Sequence, residues 1–204
     1  MRDIITTDRL ILRRMVASDT ARLVTLCGDL RVASNLSRMP HPYTAEDAAE
    51  WLARQDHMWA NTRDRVWTIA LPDIGLIGTI GLHRESRMHI VGLESWEMGY
   101  WLGVPFWGQG YATEAGTAVL AELDHAFGPQ EVTAGYALKN PNSGHVLKKI
   151  GFHTVDLITE LSVLATGEMS RTQVMLRPAP LSVPFSARTL VPSEIPIPER
   201  SPTP

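Results

Sequence analysis

Cysteine is almost absent from this sequence, with Cys27 the one thiol in 204 residues. That excludes an internal disulfide framework and a thiolate-rich metal site. The seven histidines are scattered without a paired-ligand spacing, which argues against zinc, so no metal is expected. No run approaches the roughly 20 apolar residues of a membrane helix. Residues 1–9 carry no long apolar segment of the secretory kind either. Neither sign of charge is in large excess, and a formal net charge of −3 argues against nucleic acid as the main partner. Proline is sparse until the end, where eight of the 14 fall within 178–204. Each fixes φ and removes a donor, so that stretch is expected to form an extended or disordered tail. What remains, 1–177, has the composition of one soluble, cytoplasmic globular domain.

Within 1–177 the apolar period switches between strand-like and helix-like. Residues 8–15 read as a strand, and Ser18 can cap a first helix running to about Leu30. Thr44, with Asp47 three residues on, resembles a capping box that opens a second helix through Trp59. Strands 66–71 and 76–83 flank a Pro72-Asp73-Ile74-Gly75 turn. The 96–102 run alternates, with Trp96, Met98, Tyr100 and Leu102 on one face and Glu97 and Trp101 on the other. A helix from Gly110 to Phe127, a strand at 131–138, a helix at 141–150 and strands near 153–161 and 170–177 complete the series. Two strand–helix–strand units argue for a mixed α/β sheet with helices on both faces.

Two segments carry the chemistry. In Trp107-Gly108-Gln109-Gly110-Tyr111-Ala112-Thr113-Glu114, a strand gives way to a helix through a turn with two glycines. Glycine leaves the backbone unobstructed, and a helix's first N–H groups attract anions, so a phosphate can seat there. The same glycines also suit a simple tight turn. In the second segment, Asn140 and Pro141 start a helix and Gly151 stops it, so Asn140 reads equally well as a plain cap.

Together these segments resemble the GNAT superfamily of N-acetyltransferases. More narrowly they are similar to its RimJ/RimL-like branch of ribosomal-protein N-terminal acetyltransferases. Thr7-Asp8-Arg9-Leu10-Ile11-Leu12-Arg13, Ile77-Gly78-Thr79-Ile80-Gly81-Leu82, Gly99-Tyr100-Trp101-Leu102, Asn140-x-x-Ser143 and Lys149-Ile150-Gly151-Phe152 carry the likeness across 6–177. The resemblance implies a mostly antiparallel sheet of about seven strands with a splayed pair, flanking helices, and acetyl-CoA as co-substrate. It implies that Leu102 and Val104 meet the pantetheine, that Gly108, Gln109, Gly110, Tyr111, Ala112 and Thr113 hold the pyrophosphate, and that Asn140 and Ser143 lie beside the thioester.

This chain departs from the pattern at Trp107, where Arg or Gln is usual, and at Leu147, where many relatives carry a tyrosine acid. Ser143 is the natural substitute donor. Glu97 is the base candidate, with His83 second and Glu85 and Glu94 weaker; Glu97 also reads as a solvated edge carboxylate or an arginine's partner, and His83 as a polar strand-end residue. Trp67 and Trp96 are expected in the core, and Trp51 and Trp59 in the core or lining an acceptor pocket.

The expected activity is acetyl transfer to a primary amine, in a monomer or homodimer. A protein N-terminus, a polyamine, an antibiotic amine or a small metabolite all remain open as acceptors. A domain that binds CoA without turnover is the alternative.

Overall fold

The computed structural model describes residues 1–61, 64–84 and 95–179. Its N-terminal run forms two short strands, β1 (Ile5–Thr6) and β2 (Ile11–Arg13), rather than the single strand expected over 8–15. Thr7 is the cause. Its amide donates to the Leu10 carbonyl at 3.0 Å and its hydroxyl accepts from the Leu10 amide at 3.0 Å, which closes a hairpin. The first helix also starts later than expected. Asp19 accepts from the Arg13 guanidinium at 2.7 and 2.8 Å and from the Val16 amide at 3.0 Å, so a short 3-10 turn at Ala17–Asp19 precedes α1 (Thr20–Cys27). Ser18 lies inside that turn and Asp19 takes the N-cap position. Asp29 then caps a separate one-turn α2 (Leu30–Ala33) by accepting from the Arg31 amide at 2.9 Å.

The capping box before α3 (Ala45–Asn61) forms as expected: Thr44 N donates to Asp47 at 2.8 Å and Asp47 N donates to the Thr44 hydroxyl at 3.2 Å. The remaining elements are β3 (Arg65–Leu71), β4 (Gly75–His83), β5 (Trp96–Leu102), α4 (Tyr111–Phe127), β6 (Val132–Ala137), α5 (Pro141–Lys149), β7 (His153–Val163) and β8 (Glu168–Arg177). The described strands form one eight-stranded sheet in the order β1-β2-β3-β4-β5-β6-β8-β7, one strand more than expected because the N-terminal run divides. Every pairing is antiparallel except β5 with β6.

Two cores cover the faces. Under α4 and α5, Trp67, Ile80, Leu82 and Met98 pack against Ala115, Val119, Leu123 and Leu147. Under α1 and α3, Met15, Leu23, Leu26, Cys27, Tyr43, Ala48 and Leu76 form the second. Full burial of each large aliphatic side chain contributes about 1.5–3 kcal/mol. Trp67 and Trp96 are buried as expected, and Trp59 joins them, edge-on to Trp67 at 5.6 Å. Cys27 is fully enclosed, and burial pushes its thiol pKa far up, as befits a packing residue. Among the described residues no helix is long and apolar enough to cross a membrane.

The parallel junction positions the site. β5 and β6 are in register only at Trp96–Val132, Glu97–Thr133 and Met98–Ala134. Beyond Met98, β5 pairs with β4 alone and β6 with β8 alone, so a wedge opens in the middle of the sheet. Residues 180–204, nearly all of the expected tail, lie outside the described residues.

Candidate active site

The chain leaves β5 at the open end of the wedge. Gly103 is still extended, and Val104–Phe106 then make a 3-10 turn, so extended backbone stops just before Val104. The Leu102 carbonyl accepts from the Trp107 indole N–H at 2.7 Å, which gives the departure at Trp107 a structural role. Gly108 and Gly110 then adopt φ of +74° and +83°, a region that side chains rarely enter. A Cβ built on Gly108 meets nothing within 4 Å, so the space beside it is open. Gly110 is the N-cap of α4 and offers no side chain to cap with. The first helical bond runs from Glu114 N to Gly110 O at 3.0 Å, leaving the amides of Tyr111, Ala112 and Thr113 without a carbonyl one turn back. These amides and the positive end of the helix dipole suit a diphosphate.

Arg9 holds this turn in place, and sequence reasoning missed it. Its guanidinium donates to the Gln109 carbonyl at 2.9 Å and to Glu114 at 2.6 Å, and stands 4.6 Å from the Tyr111 ring centroid. Glu114 also accepts from the Thr7 hydroxyl at 2.6 Å and the Arg9 amide at 2.9 Å. Burial pushes the Glu114 carboxyl pKa up, but these hydrogen bonds more than reverse that and hold it below its ordinary value. The signal was in plain view as Thr7-Asp8-Arg9, but its partner lies about 100 residues away.

Across the wedge, α5 begins at Pro141, with Asn140 at the N-cap position. The capping expectation is corrected here, because the Asn140 side chain makes no cap hydrogen bond. Its backbone is held instead: Asn140 N donates to Ala137 O at 2.7 Å and Asn140 O accepts from Ser143 N at 3.2 Å. The far end is as expected. Gly151 at φ +95° donates to Lys148 O, and Phe152 donates to Leu147 O, closing the helix. Leu147 is fully buried in the core.

Ser143 is half-buried, and its hydroxyl lies 2.8 Å from the Tyr100 hydroxyl, which also donates to the Ser143 carbonyl at 2.9 Å. Burial pushes the Tyr100 phenol up to about 12, against the opposing effect of the Ser143 hydrogen bond. Tyr100 was legible only as a residue on the apolar face of its strand.

The other face of β5 carries Glu97, Gly99 and Trp101. Glu97 is half-buried, opposite His83 on β4 and Thr133 on β6. Nothing lies within 4 Å of a Cβ built on Gly99, so the sheet there is open. His83 sits 3.2 Å from Asp64. Burial pushes the Asp64 carboxyl up, but hydrogen bonds from His83 and the Arg84 amide leave it below its ordinary value. Glu97 and Ser143 therefore approach the wedge from opposite faces of the sheet. Glu85 and Glu94 lie outside the described residues. Trp51 is half-buried on α3 and packs against the second core.

The sequence pattern of the acetyltransferase (GNAT) domain matches residues 9–153. The chain is 28% identical over 150 residues to an uncharacterized N-acetyltransferase, YoaA, of Bacillus subtilis, covering 73% of this chain and 82% of that protein. Its fold is similar to that of a GNAT-family acetyltransferase from Bacillus anthracis (TM-score 0.68, 19% identity, 85% of this chain and 96% of that one). It is also similar to spermidine N-acetyltransferase from Vibrio cholerae, solved with CoA and spermine (TM-score 0.65, 19% identity, 83% and 95%).

Proposed function

The chain belongs to the GNAT acetyltransferase family, and on that premise we propose that it transfers an acetyl group from acetyl-CoA to a primary amine in the wedge between β5 and β6. The co-substrate supplies an activated acyl thioester; the residues of the chain bind, orient and assist. The amides from Gly108 to Thr113 take the diphosphate. The backbone at Leu102 and Val104 lies along the pantetheine, and Asn140 and Ser143 stand at the sulfur. Glu97, from the opposite face, receives the amine's proton directly or through water. The supporting observation is the placement of an anion-ready glycine turn and a half-buried hydroxyl at the two sides of one open wedge.

The acceptor we favour is an α-amine. With a pKa of about 7.7–8 it is roughly a tenth neutral at pH 7, whereas a lysine amine near 10.4 is neutral less than about one time in a thousand. A site whose leading base candidate, Glu97, is a carboxylate suits the weaker base, as at a protein N-terminus, including a ribosomal protein as in the RimJ/RimL-like branch. A polyamine is the second candidate, because the similar Vibrio cholerae enzyme carries spermine. We propose 1–177 as the catalytic unit, since β8 ends at Arg177.

The test is thiol release from acetyl-CoA with peptides bearing free or blocked N-termini, polyamines and aminoglycosides, with products read by mass spectrometry. Acetylation of the peptide α-amine at the highest kcat/KM is expected. Turnover confined to polyamines or aminoglycosides overturns the acceptor, and absence of turnover with all of them overturns the catalytic reading.

A further inference from the structure

Where many relatives carry a tyrosine, this chain has Leu147, which is packed in the core and holds no exchangeable proton. The structure brings a phenol to the first turn of α5 from another element, β5. Tyr100 leaves β5 on the face that carries α5 and spans the open end of the wedge, placing its hydroxyl 2.8 Å from Ser143 Oγ and 2.9 Å from the Ser143 carbonyl. A buried tyrosine needs one partner for its hydroxyl. The carbonyl alone would serve, so the second contact is what calls for a reason.

Counting protons supplies one. The pair holds two hydroxyl protons and three acceptors: Tyr100 Oη, Ser143 Oγ and the Ser143 carbonyl. In one arrangement Tyr100 donates to the carbonyl and Ser143 donates to Tyr100, so neither proton points elsewhere. In the other, Tyr100 donates to Ser143 Oγ, and the Ser143 proton is released to a third group. The two differ by rotation of two O–H bonds, with no heavy atom displaced.

We propose that Tyr100 is a positioning residue for acetyl transfer, donating to Ser143 Oγ and so turning the Ser143 hydroxyl proton onto the thioester sulfur. This rests on Ser143 standing at the sulfur, as proposed above. The nitrogen lone pair forms the new C–N bond, and the C–S bond breaks with its electron pair passing to sulfur. The surplus amine proton leaves to Glu97 or water. Ser143 hydrogen-bonds the nascent thiolate and keeps its own proton, so both hydroxyls end as they began. A neutral thioester sulfur is a poor acceptor and a thiolate a good one, so the contact strengthens as the bond breaks. A donor behind the donor strengthens it further. Because burial pushes the phenol up to about 12, Tyr100 stays protonated wherever amines acetylate.

The experiment compares the parent with Tyr100→Phe, Ser143→Ala and the double variant, reading kcat and KM for acetyl-CoA, with melting temperature as a fold check. Ser143→Ala is expected to lower kcat about 10- to 100-fold, as for one lost hydrogen bond to a developing charge. Tyr100→Phe, which keeps the ring, is expected to lower kcat roughly 3- to 30-fold while KM for acetyl-CoA moves less than about twofold. The double variant is expected to be no slower than Ser143→Ala, because Tyr100 then has nothing to act through. Ser143→Thr, which restores a hydroxyl, is expected to restore the sensitivity to Tyr100→Phe. Losses that multiply in the double variant, a KM rise matching the kcat loss, or parent kcat in Tyr100→Phe beside a slow Ser143→Ala each overturn the role of Tyr100 alone. Parent kcat in Ser143→Ala overturns the Ser143 reading and this one with it.

Discussion

The Arg9 guanidinium holds the Gln109 carbonyl at 2.9 Å and thereby sets the direction of the Gly110 amide. A trans peptide is planar, so a carbonyl turned toward Arg9 sends the next N–H the opposite way. Glycines in the left-handed region stand on both sides of Gln109, so no neighbouring side chain hinders a flip of that plane. Arg9→Met is therefore expected to raise KM for acetyl-CoA about 5- to 30-fold, the equivalent of about one hydrogen bond, with kcat changing far less. Acetyl-pantetheine, which lacks the diphosphate, provides the control. Equal losses with both thioesters would show that Arg9 supports only the fold.

Gly110→Asp puts a carboxylate and a Cβ at the mouth of the same turn. A Cβ there stands 3.4 Å from Arg9, at a φ of +83° that costs a side chain roughly 1–2 kcal/mol. CoA raises the melting temperature of a protein that binds it only when folded. That rise is expected in the parent and absent in Gly110→Asp. A folded variant that keeps the full shift removes the diphosphate from this turn.

Glu114→Gln tests the clamp through pH. The folded-state pKa of Glu114 is lowered, so its stabilisation is present above the unfolded value of about 4.3 and is lost as pH falls through the folded value. At pH 7 the variant is expected to be less stable by about 1.5–3 kcal/mol, the range for a hydrogen bond to a charged group. The gap between parent and variant closes in acid, below about pH 4.3. Melting curves from pH 7 down to acid check this, and a gap independent of pH would mean that the carboxylate charge contributes nothing.

Glu97→Gln separates proton removal from leaving-group help. A base matters most where the amine is protonated, so the loss is expected to approach about 100-fold at low pH and to shrink as pH nears the amine pKa. Rate profiles for parent and variant measure it. A loss of constant size across the profile would leave Glu97 with a binding role.

Local chemistry made much of this molecule readable. The capping box at Thr44 and Asp47, the stop at Gly151 and the two-glycine turn at Gly108 and Gly110 depend on neighbours within a few residues, so the sequence alone located them. Alternation placed Tyr100 and Glu97 on opposite faces of β5 for the same reason. The misreadings at residues 8–15 and Ser18 came where one side chain, Thr7 or Asp19, took a partner that propensity does not register.

Only the tertiary structure decided what those pieces meet. Arg9 reaches Gln109 and Glu114 because the β1–β2 hairpin lies against the start of α4, and Tyr100 reaches Ser143 because β5 and β6 part after Met98 and let a side chain cross. Contacts 43 to 105 residues apart leave no period or spacing in the chain. They exist because strands far apart in sequence pair in one sheet, and where that pairing stops, polar groups from both sides face one opening.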